Sequence, residues 1–177
     1  MRVLGIDPGL TRCGVGVLDG DLGRPPELVA VGVVRTDAHL AHEYRLLAIE
    51  QGIEEWVTAY RPDAVAVERV FAQQNLHTVT GTGQAAGIAM LVAARHGLSV
   101  GLHTPTEVKA AITGSGRADK AQVGAMVARV LHLQTAPRPA DAADALALGL
   151  CELWRGGSAN RYARAVAAHR VGAGGSR

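Results

Sequence analysis

Many apolar positions of the chain fall into short runs rich in Val, Ile and Leu, each ending at glycine, proline or an acidic residue. Runs of about four to eight such residues, bounded by turn residues, are typical of strands. The first run must end at Asp7, because Pro8 removes a backbone donor and Gly9 permits a positive φ. Five strands are predicted in this way: Val3–Asp7, Cys13–Leu18, Glu27–Thr36, Ala64–Glu68 and Ser99–His103.

Longer segments carry apolar residues at helical spacing, with polar residues between them. The segment from 74 to 96 contains many glycines and alanines. Since glycine is costly in a helix, this segment is expected to pack closely against another helix, and one candidate is a helix of a second subunit. Helices are predicted over Leu40–Tyr60, Gln74–His96, from Thr104–Glu107 onward, Asp119–Leu133 and Ala140–Trp154.

The order of these elements predicts a mixed sheet. The first three strands are joined by short turns, one of them at Asp19-Gly20, which favours an antiparallel meander. The fourth strand follows a helix, and a strand–helix–strand unit is normally parallel and right-handed. Asp7 and Glu68 would then end neighbouring parallel strands at the same edge. The expected fold is α/β, a mixed five-stranded sheet flanked by helices.

Composition favours one globular domain, since the 177 residues are 48% hydrophobic and 19% charged. The two cysteines, Cys13 and Cys151, have no metal-site spacing, which fits a reduced compartment. With no signal peptide and no long apolar segment, we expect a cytoplasmic protein that is not in a membrane. The folded domain is expected at residues 1–155. Residues 156–177 are expected to be a basic, disordered tail.

The net charge of +2 conceals an uneven distribution. Residues 1–68 contain 6 Arg and 11 acidic residues, whereas residues 69–138 contain 5 Arg, 2 Lys and 2 acidic residues. A basic central segment is what a polyanion such as nucleic acid would contact. The chain has 16 Arg but only 2 Lys, Lys109 and Lys120. Because ammonium and guanidinium groups are not equivalent, these lysines indicate either a specific role or chance.

Two acidic residues, Asp141 and Asp144, lie three apart at the start of the last predicted helix and therefore share a face. Each acid alone has a structural explanation, because acids suit helix N-termini and Asp-Pro-Gly is ordinary turn chemistry. Four carboxylates brought together with Asp7 and Glu68 would instead repel one another unless cations lay between them. Mg²⁺ prefers oxygen ligands, and two ions about 3.5–4 Å apart can activate water and stabilise the leaving oxygen of a phosphodiester.

Four motifs in sequence order carry a family resemblance: GIDPG at 5–9, AVAVE at 64–68, GSGRADKAQV at 114–123 and DAADALAL at 141–148. Over about residues 1–154, the chain resembles the RuvC family of Holliday-junction resolvases. The resemblance implies a ribonuclease-H-like fold and a homodimeric endonuclease with two Mg²⁺ ions per active site, for which Mn²⁺ could substitute. It also implies that Asp7, Glu68, Asp141 and Asp144 are the catalytic acids and metal ligands.

The same resemblance implies contacts with four-way junction DNA. Lys109 and Lys120 match family lysines that act near the scissile phosphate. Lys120 also opposes the dipole in the first turn of its predicted helix, which is easier to explain if an anion binds there. Arg117 is either a further DNA contact or a solvated loop residue. Phe71, the only Phe of the chain, either stacks on DNA bases, as the resemblance implies, or anchors the core.

The sequence thus predicts an enzyme of recombination and repair that resolves four-way junctions by paired symmetric nicks, leaving 5′-phosphate and 3′-hydroxyl ends. Two nicks need two active sites, which a homodimer supplies. A branch-migration motor complex is a partner that the resemblance alone implies. Two alternatives stay open: a junction-binding architectural protein without catalysis, and an ATP-binding protein of the actin-like fold. The latter class needs two lobes, which 177 residues cannot easily build.

Overall fold

The structure, a computed structural model, describes residues 1–21, 24–69 and 76–156. Its five strands are β1 (Arg2–Asp7), β2 (Arg12–Asp21), β3 (Arg24–Arg35), β4 (Ala64–Glu68) and β5 (Ser99–His103). They form one sheet in the order β3-β2-β1-β4-β5. β2 runs antiparallel to both β1 and β3, and β4 runs parallel to β1 and β5. The predicted meander and the predicted parallel pair are therefore both confirmed.

The predicted turn at Asp19-Gly20 is wrong, because β2 continues to Asp21. Asp19 lies opposite Glu27 in the ladder and accepts two hydrogen bonds from the Arg2 guanidinium, at 2.8 and 2.7 Å. The backbone N–H of Gly20 donates to the carbonyl of Met1 at 3.0 Å. These contacts extend the strand beyond a point at which Asp-Gly would otherwise favour a turn.

The third strand also begins earlier than predicted, at Arg24, and contains Pro25 and Pro26. Proline cannot donate to a ladder, so it is tolerated only where one side of a strand needs no partner. β3 is such a strand because it lies at the edge of the sheet.

All five predicted helices are present, with ends shifted by a few residues. Thr104 caps the helix that follows it in a capping box with Glu107, and Asp119 caps the next helix in a second box with Gln122. The last helix ends earlier than predicted and passes into a π-helical turn. The helices are α1 (His42–Tyr60), α2 (Leu76–Arg95), α3 (Pro105–Thr113), α4 (Lys120–Val130) and α5 (Ala140–Cys151), and the π-helical turn spans Glu152–Gly156.

Helices cover both faces of the sheet and create two core layers. Leu4 and Ile6 of β1 pack towards α1 and α2, whereas Val3 belongs to the layer formed with α3, α4 and α5. Alternate residues of a strand point to opposite faces, so Asp7 lies on the same face of β1 as Val3 and Gly5. This placement turns the Asp7 side chain towards α5.

Within the part of the chain that the structure describes, no helix combines the length and apolar character needed to cross a bilayer.

Candidate active site

Asp7 and Glu68 occupy the ends of two adjacent parallel strands, as the sequence predicts. Ile6 of β1 lies opposite Val67 of β4, so Asp7 and Glu68 are the next residues along the two strands. Both side chains are half-buried. The apolar residues before them hold the strands in the centre of the sheet, which brings two carboxylates to one edge.

Two glycines allow α5 to approach the same edge closely. A Cβ at Gly5 would lie 2.0 Å from the carbonyl oxygen of Ala145, and a Cβ at Gly14 would lie 2.0 Å from that of Asp141. Gly14 is the register partner of Asp7 across β1 and β2. The missing side chains therefore place the first turn of α5 directly beside Asp7. This packing brings Asp141 and Asp144 of α5 to the region of the molecule that contains Asp7 and Glu68.

The closeness of the acids changes their ionisation. Burial, together with the negative charges of Asp144, Glu68 and Asp141, raises the pKa of Asp7 to about 8. Burial also raises the pKa of Glu68. Asp7 and Glu68 share a hydrogen bond that raises the pKa of Asp7 and opposes the rise for Glu68, so Asp7 is the partner that holds the proton.

A cleft at this edge contains three of the acids and both lysines of the chain. Its lining includes Asp7, Glu68, Asp144, Lys109 and Lys120. Lys120 Nζ donates to Asp144 Oδ2 at 2.9 Å, and this hydrogen bond raises the pKa of the Lys120 ammonium. The resemblance implies that both lysines act near the scissile phosphate, and the structure places both in the cleft that contains the acids. The Lys120–Asp144 contact itself depends on the packing of α4 against α5.

Asp141 points to a different cation, Arg12, which the sequence does not single out. Arg12 Nη2 lies 2.5 Å from Asp141 Oδ2. The two groups therefore form an ion pair. Asp141 Oδ2 is nevertheless a buried atom that accepts no hydrogen bond from the described residues. The signal that could have revealed Arg12 is its spacing: it lies two residues before Gly14, on the same side of β2.

The donor set fits a divalent cation. All four acids offer oxygen ligands, their mutual repulsion calls for positive charge, and Asp141 Oδ2 accepts no hydrogen bond from the described residues. Among the described residues, no three His, Cys, Asp or Glu side chains already surround a common point. Instead Asp7 bonds Glu68, Asp144 bonds Lys120, and Asp141 pairs with Arg12. Metal binding would therefore exchange these contacts for coordination.

The remaining candidates lie elsewhere. Arg117 is exposed and lines a separate depression with Thr113 and Gln122, so it does not join the acidic cleft. Phe71 and the tail beyond Gly156 lie outside the described residues. His103 is buried and bonds Glu152 Oε2 through Nε2 at 2.7 Å.

Comparison with known proteins agrees with this architecture. A family model described as crossover junction endodeoxyribonuclease RuvC matches residues 3–152. The crossover junction endodeoxyribonuclease RuvC of Cutibacterium acnes is 68% identical over 97% of this chain and 87% of its own length. That of Streptomyces avermitilis is 65% identical over 96% of each chain.

Solved structures show the same fold. Thermus thermophilus RuvC in complex with a Holliday junction substrate is 36% identical, with a TM-score of 0.81 over 86% of this chain and 92% of its own. The yeast mitochondrial Holliday junction resolvase Ydc2, only 10% identical, has a TM-score of 0.62 over 85% of this chain and 77% of its own. The predicted ribonuclease-H-like α/β fold is thus confirmed. With the family model matched over residues 3–152 and near-full-length relatives at this identity, the chain belongs to the RuvC family of crossover junction endodeoxyribonucleases.

Proposed function

We propose that this chain resolves four-way DNA junctions by paired symmetric nicks that leave 5′-phosphate and 3′-hydroxyl ends, in recombination and repair. The observation that carries the proposal is the cleft in which Asp7, Glu68 and Asp144 face two lysines. A cleft of this kind combines ligands for cations with donors for a phosphate. The relative from Thermus thermophilus was solved with a Holliday junction as substrate, which supports the choice of DNA.

The metal in this proposal is Mg²⁺, with two ions per active site and Mn²⁺ as a substitute. Asp7, Glu68, Asp141 and Asp144 would hold the ions. When bound, the ions would supply Lewis-acid chemistry for hydrolysis of a phosphodiester. Asp7 would give up the proton it shares with Glu68 once positive charge reaches the cluster, since that charge offsets the burial and the repulsion that keep Asp7 protonated.

The cationic side of the cleft would bind the DNA backbone. Lys109 is half-buried beside the acids, whereas the Lys120 side chain is 77% exposed and its ammonium reaches Asp144. An exposed ammonium can leave one oxygen for another at little cost, so Lys120 can turn from Asp144 to a phosphate oxygen. Arg117, which lies outside the cleft, remains proposed as a contact of the DNA backbone. Phe71 remains proposed as a residue that stacks on bases.

The proposed active unit is a homodimer, and α2 offers the face for it. Gly83 and Gly87 lie one helical turn apart, and a Cβ at either would have no neighbour within 4 Å among the described residues. Met90 and Leu91 continue this side of the helix and are exposed. A face of small and apolar residues allows two copies of α2 to approach closely. A two-fold axis there would give the two active sites that symmetric nicks require.

Two further parts of the proposal rest on the family alone. They are a branch-migration motor complex as partner and a cytoplasmic location. Among other functions, an architectural junction-binding protein would not need four converging carboxylates, whose repulsion is costly. An actin-like ATPase is disfavoured by the family match over residues 3–152.

The test uses a synthetic immobile four-way junction with the full chain and Mg²⁺. Asp7→Asn keeps the shape of the side chain but removes its charge. Paired symmetric nicks by the wild type, and binding without nicks by Asp7→Asn, are the expected results. Binding by both proteins without cleavage by either, in Mg²⁺ or Mn²⁺, would overturn the enzyme and leave the architectural protein. Hydrolysis of ATP without junction cleavage would favour the actin-like alternative.

A further inference from the structure

Arg12 is a cation at the acidic site that the proposed chemistry does not use. It begins β2, and Gly14, two residues later on the same side of the strand, is where β2 approaches the backbone of Asp141. Arg12 is thereby directed at the start of α5. Its Nη2 lies 2.5 Å from Asp141 Oδ2, a buried atom that accepts no hydrogen bond from the described residues.

The contact pairs Arg12 with an acid that lies beside Asp7. The backbone of Asp141 lies against Gly14, and Gly14 is the register partner of Asp7. Lys120 neutralises Asp144 in the same way on the other side of the cleft. Two of the four acids are thus each paired with a positively charged side chain.

We propose that Arg12 is a positioning residue that holds Asp141 in the metal-free protein and competes with the divalent ion for this carboxylate. The inference rests on the proposed metal-dependent function and concerns the same site. Arg12 and a metal ion cannot both use Asp141 Oδ2 without strong repulsion between their charges. Arg12 therefore weakens metal binding at Asp141 and keeps the aspartate oriented until an ion arrives.

Partial exposure makes this exchange feasible. The Arg12 side chain is 42% exposed and that of Asp141 is 29% exposed, so the guanidinium can move into water when it is displaced. Ion pairs of this kind contribute little, because solvent screens them. Removal of Arg12 should accordingly tighten metal binding about fivefold, which corresponds to ~1 kcal/mol. A fully buried pair would instead lock the carboxylate against the ion.

The experiment measures Mn²⁺ binding to the full chain by isothermal titration calorimetry, without DNA. Arg12→Gln should lower the dissociation constant about fivefold, whereas Arg12→Lys, which keeps the charge, should stay within about twofold of the wild type. The matched control is Arg35→Gln, because Arg35 is the register partner of Arg12 on β3. Arg35 pairs with no carboxylate in the described part of the chain, so its loss should change the constant less than about twofold.

A second readout is the rise in Tm caused by millimolar Mn²⁺. This rise should be larger for Arg12→Gln than for the wild type, because the variant gives up no ion pair when the ion binds. Equal constants and equal rises in Tm for Arg12→Gln and Arg35→Gln would overturn the role of Arg12 and leave the metal site intact. Absence of Mn²⁺ binding in the wild type and all variants would overturn the metal site and, with it, the role of Arg12.

Discussion

At the scale of single residues, repulsion among the four acids has a cost in free energy that bound cations would remove. Asp7 is the centre of this effect, because burial and three neighbouring acids raise its pKa to about 8 from an ordinary value of 3.8. The folded chain therefore binds more protons than the unfolded chain between these values. Its stability contribution from Asp7 is greatest at low pH and is lost as the pH rises towards 8.

This ionisation predicts a pH-dependent gain for Asp7→Asn in metal-free protein. The variant cannot ionise, so its stability relative to the wild type should improve by on the order of 1–3 kcal/mol between pH 5 and pH 8.5. Urea unfolding in the presence of EDTA measures the difference. Glu55→Gln, which removes an exposed carboxylate from α1, is the control. If Asp7→Asn differed from the wild type in stability by the same amount at both pH values, Asp7 would ionise alike in the folded and unfolded states.

Lys120 provides a second test at the residue scale. If Lys120 contacts a phosphate, Lys120→Ala should weaken junction binding and lower the slope of log K against log salt by about one contact. Salt titration of binding in Ca²⁺ or EDTA separates this effect from cleavage. Arg129→Ala is the control, because Arg129 is an exposed cation on the same helix that does not line the cleft. Equal slopes for both variants would leave Lys120 as a surface partner of Asp144.

The sequence predicts the four acids and the two lysines but not the contacts among them. Their residue types and positions at element ends can be recognised in the chain. The pairing of Lys120 with Asp144 and of Arg12 with Asp141 depends on how α4 and β2 lie against α5. No local pattern encodes these distances, because the partners are separated by 24 and by 129 positions in the chain.

At the scale of elements, the position of α5 decides the geometry of the site. The helix carries Asp141 and Asp144, and it reaches the strands only because Gly5 and Gly14 lack side chains. Periodicity alone predicts that this helix exists, and the alternation along β1 and β2 does not reveal which glycine faces it. Local sequence patterns also underestimate the lengths of β2 and β3, because contacts with distant parts of the chain extend both strands. Arg2, Met1 and the edge position of β3 stabilise residues that locally favour a turn.

Gly5→Ala tests this close approach. The added methyl would lie 2.0 Å from a backbone oxygen of α5, so the helix must shift. We expect a loss of about 1–3 kcal/mol of unfolding free energy, measured in urea, and a larger loss of cleavage than of junction binding. Gly124→Ala on α4 is the control, since its added methyl has its nearest neighbour at 3.6 Å. That variant should be neutral or more stable by up to ~1 kcal/mol. Unchanged stability in Gly5→Ala would mean that α5 is not held by this contact.

At the scale of the whole molecule, one chain presents one acidic cleft, whereas two nicks on opposite strands require two clefts in a fixed relation. The exposed side of α2 is the surface that could fix this relation, because Gly83 and Gly87 leave room for a second backbone. Leu91 lies on the same side of the helix and is 45% exposed. Burial of this leucine against a second copy would contribute to dimer stability.

Leu91→Glu should therefore convert the proposed dimer to a monomer, since two buried carboxylates would face each other across the proposed two-fold axis. Sedimentation at micromolar concentration measures the association. Leu47→Glu is the matched control, because Leu47 is 46% exposed on α1 and should leave the dimer intact. The monomeric variant should still bind Mn²⁺ but should cut a junction on single strands only, without paired nicks. A dimer that survives Leu91→Glu would place the two-fold axis elsewhere on the molecule. A monomer that still makes paired nicks would mean that symmetric cleavage does not need two linked clefts.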